Sequence, residues 1–315
     1  MMIETAAVIG AGTMGKNIAL VFAAGGLTVR LYDSSPAALQ NAKEHIKKEL
    51  FLLSDCELLS AETIPKILDR IILCDSLKPA VLDIDYILEA VPENLKLKQE
   101  LFKSLDKYCR GDSILSSNTS SLDFYEIIKF VSDERKKYCM LCHWYHPAHI
   151  IPLAELSFFG NMPETIYSSV ENLYSRLGKQ TVKVLKDIPG LIANRIQQSI
   201  AREVFSLIEQ GAASPKDIDK ALKFGPAFRY AASGQLETAD MGGLDIWCMV
   251  ADNLLPAMDS KAEANPVLRQ KVINGQLGFK TGGGFFKYPP ETAAKQKDAF
   301  NRRLITQLKA SKHYT

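Results

Sequence analysis

The sequence predicts an α/β fold: a doubly wound parallel sheet followed by an all-helical C-terminal domain. Short β-branched runs alternate with longer helical patterns over the first 185 residues, which is typical of such a sheet. After Asp187 the pattern becomes almost wholly helical. The length of 315 residues suits two domains. We place these domains at residues 1–186 and 187–315.

The elements of the first domain follow one another in strand and helix order. Runs rich in β-branched and apolar residues predict the strands, and amphipathic segments predict the helices. This order favours parallel strands joined by crossover helices. The predicted strands are residues 5–9, 27–32, 85–90, 113–117 and 138–143, and the predicted helices are about residues 13–25, 36–53 and 94–108.

A proline and glycine pair at 189–190 marks the boundary region at the start of the second domain. Its first helix carries apolar residues at helical spacing. The last 25 residues predict a polar helix. The apolar positions of the first helix are Ile192, Ile196, Ile200 and Val204.

Composition excludes several classes of protein. With 38 basic and 36 acidic residues the net charge is +2, so the chain has no strong electrostatic footprint for nucleic acid or an anionic membrane. The six cysteines show no disulfide framework spacing, which favours free thiols in a reducing compartment. Neither a signal peptide nor an apolar run of about 18 residues is recognisable, and we expect a cytoplasmic protein without membrane partners.

A glycine-rich loop follows the first predicted strand and opens an amphipathic helix. Its G-x-G-x-x-G spacing is that of a dinucleotide-binding turn. Gly10 permits the tight turn, Gly12 lets a pyrophosphate approach the backbone, and Gly15 allows close packing of helix against strand. The context therefore predicts a Rossmann-type nucleotide site. The expected contacts in this loop are Gly10, Gly12, Thr13, Met14 and Gly15.

Asp33 lies 18 residues after the last glycine of the loop, at the end of the next predicted strand. A carboxylate there accepts hydrogen bonds from both ribose hydroxyls of NAD and repels the 2′-phosphate of NADP. The three residues that follow, Ser34, Ser35 and Pro36, include no arginine to bind such a phosphate. The sequence thus predicts NAD as the cofactor.

An enzyme that transfers hydride from an alcohol needs a base, and histidine titrates in the useful range. Of five histidines, His45 lies on a helix that we expect to be solvated and His313 lies near the C-terminus. The others are His143, His146 and His149. A metal site is not expected from these three, because a proline interrupts any helix that would align them and no acidic ligand is interleaved.

The segment 139–143 also matches the C-x-x-C-H pattern of haem attachment. Without an export signal this interpretation lacks its context. A strand would also place Cys139 and Cys142 on opposite faces. We therefore do not expect haem.

Separated motifs along nearly the whole chain resemble the L-3-hydroxyacyl-CoA dehydrogenase family. Several matches in the right order are more specific than any one of them. The motifs are EAVPENLKLKQELF at 89–102, SSNTSSL at 116–122, His143 followed twelve residues later by Glu155, PGLIANR at 189–195, and KTGGGFF at 280–286.

The resemblance implies a catalytic group. His143 would accept the proton of the substrate hydroxyl, and Glu155 would orient its ring and stabilise the imidazolium. Ser120 and Asn194 would hydrogen-bond the substrate oxygen. It also implies further NAD contacts: Ala90, Glu93, Lys98, Asn118, Ser120, His146 and Lys280.

The chain departs from the family pattern at three places. His146 stands where the family has asparagine. Counted from Asp33, the positions at which acyl-CoA enzymes bind coenzyme A hold Glu49 and Cys56, and an acid disfavours a phosphate-rich ligand. Arg229 lies in a stretch that resembles the branch with lambda-crystallin and L-gulonate 3-dehydrogenase. An arginine there could bind a free carboxylate.

These observations predict an NAD-dependent oxidoreductase that interconverts 3-hydroxy and 3-keto groups, with L-3-hydroxyacyl-CoA as the leading substrate and a place in fatty acid metabolism. A small free hydroxy acid bound by Arg229 is the alternative, and a non-catalytic NAD-binding structural protein is a second one. The resemblance also implies a homodimer built on the helical domain.

Overall fold

The computed structural model describes residues 2–314 and contains two compact units, Met1–Ile192 and Ala193–Thr315. The first unit holds a single eight-stranded sheet with the strand order β3-β2-β1-β4-β5-β6-β7-β8. This is a Rossmann-type arrangement, which confirms the predicted fold class. The strands are β1 (Thr5–Ile9), β2 (Thr28–Tyr32), β3 (Ile71–Cys74), β4 (Tyr86–Glu89), β5 (Ile114–Ser117), β6 (Cys139–Trp144), β7 (Leu153–Ser157) and β8 (Gln180–Val184).

The five strands predicted from the sequence pair in parallel as expected, but one edge of the sheet is extended by an antiparallel pairing that was not predicted. Strands β1 to β6 pair in parallel, but β7 is antiparallel to β6 and β8 is parallel to β7. The connection from β6 to β7 is short, and a short connection joins antiparallel strands whereas a parallel crossover needs a dozen or more residues. Strands β3, β7 and β8 were not recognised in the sequence.

Helices cover the sheet and begin at residues suited to starting a helix. Ser35 accepts a hydrogen bond from the backbone N–H of Ala38 just before α2, and Asn94 accepts one from Leu97 before α5. The helices of this unit are α1 (Gly15–Ala24), α2 (Pro36–Asp55), α3 (Ile64–Asp69), α4 (Leu77–Val81), α5 (Leu95–Tyr108), α6 (Phe124–Ile127), α7 (Asp133–Lys136) and α8 (Glu164–Arg176).

The core of the first unit lies on the central strands. Every residue of β4, β5 and β6 is buried, because helices cover both faces of the sheet there. Apolar burial of this kind is the main stabilising term of such a unit. It fixes the carboxyl ends of β1, β4, β5 and β6 beside one another, which is where α/β sheets place their ligands.

The second unit is helical. Helix α11 is interrupted at Gly234, whose φ of 67° lies in the left-handed region that glycine tolerates. Within residues 2–314, every helix is too short or too polar to serve as a bilayer span. The helices are α9 (Ala193–Glu209), α10 (Pro215–Phe224), α11 (Pro226–Gly242), α12 (Leu244–Leu254), α13 (Pro266–Ile273) and α14 (Pro290–Ser311).

Candidate active site

The glycine-rich loop joins β1 to α1, and two of its glycines are required by close packing. Gly10 has a φ of 105°, and a Cβ there would lie 2.7 Å from the carbonyl oxygen of Ala90. A Cβ on Gly15 would lie 1.7 Å from the carbonyl oxygen of Gly10. At Gly12 a Cβ would meet no protein atom within 4 Å. The loop therefore leaves open space at the position where a pyrophosphate would approach the backbone.

Asp33 follows β2 and is held by the backbone. The N–H of Ala11 donates to its Oδ2 at 2.8 Å, and the N–H of Ser35 donates to its Oδ1 at 2.9 Å. These two bonds fix the carboxylate beside the glycine-rich loop. It stands at the end of the second strand, the position from which a carboxylate binds a ribose diol.

A cleft of about 860 Å³ runs along the carboxyl ends of the strands within the first unit. A cleft of this size accepts a large ligand. Together with the open backbone at Gly12 and the fixed carboxylate of Asp33, its lining fits NAD. Nine residues predicted as cofactor contacts line it: Gly10, Gly12, Thr13, Met14, Asp33, Ala90, Glu93, Asn118 and Ser120.

Glu93 organises the loop that follows β5. Its Oε1 accepts hydrogen bonds from the hydroxyl of Thr119 and from the backbone N–H of Ser120 at 3.1 Å and Ser121 at 3.2 Å. Burial acts to raise the pKa of Glu93, but the Thr119 hydroxyl and the charge of Lys98 outweigh it and lower that pKa. A charged Glu93 thus holds the backbone around Ser120 in place.

Lys98 is buried and is not among the residues that line the cleft, so its contact with the cofactor stays a prediction. Only 1% of its side chain is exposed, and its Nζ lies 2.6 Å from Oε1 of Glu89 and 3.4 Å from Oε2 of Glu93. Glu89 also accepts a bond from the hydroxyl of Ser117 at 2.6 Å. Burial raises the pKa of Glu89 although Lys98 opposes this. Lys98 is placed to act on the cleft through Glu93.

His143 and Glu155 form a buried pair. They are directly opposite each other in the antiparallel register of β6 and β7, which brings their side chains to the same face. Nδ1 of His143 lies 2.8 Å from Oε2 of Glu155. The other carboxylate oxygen accepts the backbone N–H of Ile192 at 2.9 Å. Glu155 is fully buried, and these two contacts hold both of its carboxylate oxygens in place.

The second nitrogen of His143 contacts a residue that lines the cleft. Because the carboxylate of Glu155 accepts the proton on Nδ1, Nε2 carries the lone pair. Nε2 lies 3.1 Å from the hydroxyl oxygen of Ser120, one of the residues that line the cleft. Asn118 accepts the backbone N–H of Trp144 at 2.8 Å and so ties the loop after β5 to the strand that carries His143. This arrangement can accept a proton at Nε2.

The two other histidines of this segment differ from His143. His146 is exposed and does not line the cleft, so its contact with the cofactor stays a prediction. His149 is buried and its Nε2 lies 3.1 Å from Oε2 of Glu49. In the described part of the chain, no three side chains of the metal-binding types converge on one point.

Three predicted site residues lie in the second unit. Asn194 stands in the first turn of α9, and Arg229 is exposed on α11. Lys280 is exposed and lines a groove of about 480 Å³ within this unit. Their roles in binding cofactor or substrate stay predictions.

Three contributors to the site were missed in the sequence. Glu89 could have been found from the sequence, because a carboxylate that ends a buried strand needs a cationic or hydrogen-bonding partner. Thr119 lies inside a motif that was recognised but was not assigned a role. The backbone N–H of Ile192 carries no sequence signal, because any residue except proline supplies one.

Comparison with known proteins identifies the family. The family model of the 3-hydroxyacyl-CoA dehydrogenase NAD-binding domain matches residues 5–188, and that of the C-terminal domain matches residues 190–288. The chain is 30% identical to 5-formyl-3-hydroxy-2-methylpyridine 4-carboxylate 5-dehydrogenase of Mesorhizobium japonicum, over 96% of this chain and 97% of that one. It is 34% identical to human mitochondrial hydroxyacyl-coenzyme A dehydrogenase (91% and 92%) and 36% identical to lambda-crystallin of Oryctolagus cuniculus (73% and 72%).

Solved structures support the same family assignment. A 5-formyl-3-hydroxy-2-methylpyridine 4-carboxylic acid 5-dehydrogenase, described as an NAD+-dependent dismutase, superposes with a TM-score of 0.90 at 29% identity over 99% of both chains. The (S)-3-hydroxybutyryl-CoA dehydrogenase of Ralstonia eutropha has a TM-score of 0.72 at 32% identity, over 91% of this chain and 99% of that one. The chain belongs to the 3-hydroxyacyl-CoA dehydrogenase family of NAD-dependent oxidoreductases.

Proposed function

We propose that the protein oxidises a hydroxyl-bearing carbon, or reduces the corresponding carbonyl, with His143 as the general base and acid. One observation carries this proposal: Nδ1 of His143 is held by buried Glu155 at 2.8 Å, while Nε2 lies 3.1 Å from the hydroxyl of Ser120, which lines the cleft. Glu155 stabilises the imidazolium that forms when Nε2 takes the hydroxyl proton. In the reverse direction the same nitrogen returns the proton.

The remaining groups hold the substrate oxygen. The hydroxyl of Ser120 lies 3.1 Å from Nε2 of His143, close enough for one oxygen atom to contact both. The resemblance to the family also predicts a hydrogen bond from the amide of Asn194 to the substrate oxygen, and this role stays a prediction. NAD, when bound in the cleft, supplies the hydride acceptor. Glu93 keeps the backbone at Ser120 fixed, so that the alignment needs no rearrangement when substrate binds.

We propose a small free carboxylate as the substrate class. The support is the TM-score of 0.90 over 99% of both chains with a pyridine carboxylate dehydrogenase, against 0.72 over 91% of this chain with a hydroxybutyryl-CoA enzyme. The family model of the C-terminal domain ends at residue 288, so it does not include helix α14 (Pro290–Ser311). Exposed Arg229 would bind the carboxylate through paired N–H donors.

Acyl-CoA is the alternative, favoured by the names of several relatives. The objection raised by Glu49 is weaker than the sequence suggested, because this carboxylate is buried against His149. The lysines Lys43, Lys47 and Lys48 are exposed on the same helix. Fatty acid metabolism would follow from this alternative. A cytoplasmic location stays a prediction from the sequence.

A substrate panel tests the choice. The purified protein would be assayed with NAD and free 3-hydroxy acids or aromatic carboxylates that carry an alcohol or aldehyde, and with acetoacetyl-CoA and NADH. We expect turnover of a free acid and little reduction of the thioester. If acetoacetyl-CoA is the better substrate, the carboxylate proposal is wrong. Arg229→Met should raise the KM for the free acid about tenfold or more, and an unchanged KM would remove Arg229 from the site.

We also propose a homodimer formed by the helical unit. Leu236 and Met241 on α11 are 82% and 84% exposed, and Leu244 and Met249 on α12 are 62% and 55% exposed. Large apolar side chains exposed in such numbers on neighbouring helices are typical of a subunit interface. Light scattering should give twice the chain mass, and Leu236→Glu should shift the protein to monomer. A monomeric wild-type protein at micromolar concentration would contradict this.

A further inference from the structure

Glu49 is a buried carboxylate that the proposed reaction does not use. It lies on α2, where only 7% of its side chain is exposed. Its Oε2 lies 3.1 Å from Nε2 of His149, whose side chain is 2% exposed. A buried charge must be compensated, and it is retained here at the junction of three elements.

On one side Glu49 is connected to the glycine-rich loop. His45 lies one helical turn earlier on α2, with its Nδ1 3.8 Å from Oε1 of Glu49. Nε2 of His45 lies 2.8 Å from the side-chain oxygen of Asn17 on α1. The amide nitrogen of Asn17 donates to the carbonyl oxygen of Thr13 at 3.2 Å. Thr13 is part of the loop that lines the cofactor cleft.

On the other side Glu49 is connected to the segment that follows the catalytic strand. His149 stands five residues after the end of β6, the strand that carries His143. The carbonyl oxygens of Ala148 and Ile151 accept hydrogen bonds from Nζ of Lys179 at 2.6 Å and 2.7 Å. This segment is therefore held from two directions.

Hydrogen-bond directions assign the role of each ring nitrogen. Because the amide nitrogen of Asn17 donates to Thr13, its oxygen accepts, and Nε2 of His45 is the donor to it. In the neutral ring Nδ1 of His45 then presents a lone pair to Glu49. Protonation places an N–H there instead, and it also makes the bond to Asn17 charge-assisted and stronger. His45 is thus the group whose charge couples the carboxylate to the loop.

The corresponding change at His149 adds no contact. Its Nε2 donates to Glu49, and its Nδ1 is buried with no hydrogen-bond partner among residues 2–314. A proton on that nitrogen would lack an acceptor. The charge of Lys48 also acts on Glu49. Burial acts to raise the pKa of Glu49, but His149, His45 and Lys48 together lower it.

We propose that Glu49 is a positioning residue for the cofactor site. Through His45 and Asn17 it stabilises the glycine-rich loop, and through His149 it ties α2 to the segment after the catalytic strand. The loop is held more firmly when His45 is charged, so NAD binds more tightly at the lower pH. This inference concerns the cofactor alone and does not depend on which substrate the enzyme uses.

The test is the dissociation constant of NAD, measured by isothermal titration calorimetry without substrate. For the wild-type protein we expect it to be about threefold smaller near pH 6 than near pH 8.5, the effect of one partly exposed ion pair across the range where histidines titrate. Glu49→Gln keeps an acceptor for His149 but removes the charge that favours a protonated His45, and it should reduce this difference. His45→Gln keeps a neutral donor to Asn17, and its affinity should stay at the weaker value throughout.

The control is Glu44→Gln, which removes an exposed acid from the same helix and should keep the wild-type pH dependence. His45 is partly exposed, so its variant serves if Glu49→Gln does not fold. The proposal is overturned if the wild-type affinity does not change with pH. It is equally overturned if either His45→Gln or Glu49→Gln retains the wild-type dependence.

Discussion

His143 and Glu155 face each other across one antiparallel strand pair, with Nδ1 2.8 Å from Oε2. Twelve positions separate them in sequence because the chain turns back between β6 and β7. The register is specified by strand alternation, since a slip of one residue would move Glu155 to the other face of the sheet. The contact between His143 and Glu155, on which the proposed acid and base chemistry rests, is therefore set by backbone pairing.

Glu155→Gln should leave NAD binding within about threefold of wild type but lower kcat at least about a hundredfold. An amide at this position donates to Nδ1 as readily as it accepts, which favours the tautomer with a proton already on Nε2. Steady-state kinetics and NAD titration measure the two effects. The exposed acid Glu164 on α8 offers a control, because Glu164→Gln should retain full activity. A Glu155→Gln enzyme with wild-type kcat would remove the carboxylate from the mechanism.

Asp33→Asn should weaken NAD binding about tenfold or more, because a charge-assisted hydrogen bond to the ribose is lost. It should also improve the affinity for NADP relative to NAD, since the repulsion of the 2′-phosphate is removed. Titration with both dinucleotides measures the ratio. Asp75→Asn, at an exposed acid, should leave it unchanged. An unaltered preference in Asp33→Asn would mean that this carboxylate does not contact the ribose.

Lys179 predicts a pH dependence of stability. Burial lowers the pKa of this lysine from 10.5 to about 7. Between these values the unfolded chain holds a proton that the folded protein has released, so the free energy of unfolding rises with pH. Relative to Lys179→Met, the wild-type protein should gain on the order of 1 kcal/mol per pH unit in this range.

Urea unfolding at several pH values across that range measures the difference for Lys179. The comparison uses the slope of the free energy of unfolding against pH and not its absolute value. Lys179→Met also leaves the carbonyl oxygens of Ala148 and Ile151 without their donor, which changes the absolute stability. Lys186→Met, which removes an exposed lysine, should follow the wild-type slope. Equal slopes for wild type and Lys179→Met would show that the buried amine does not titrate in this window.

The fold was largely predictable, because its central strands are buried on both faces and therefore read as continuous apolar runs. Strands β1, β2, β4, β5 and β6 fall within two residues of their predicted positions. Strand β3 was not predicted because it is short and only partly buried. The antiparallel direction of β7 and β8 relative to the rest of the sheet was not predicted, because strand direction depends on the connection and not on the composition of the strand.

The site was predictable where a motif fixes backbone geometry. The glycine-rich loop and Asp33 are such cases, since steric limits at Gly10 and Gly15 leave few alternatives. Buried partners were harder, because charge compensation depends on which elements meet. The burial of Lys98 against Glu89 and the pairing of Glu49 with His149 follow from packing between distant segments, which residue spacing does not reveal.

The most direct test of the central claim is the pre-steady-state rate of NAD reduction by His143→Gln with the substrate that the panel identifies. If His143 is the proton acceptor, the rate should fall at least about a hundredfold while calorimetry shows NAD binding unchanged. A rate equal to that of the wild-type enzyme would contradict the account, because the hydroxyl proton would then leave by a route that does not involve this imidazole.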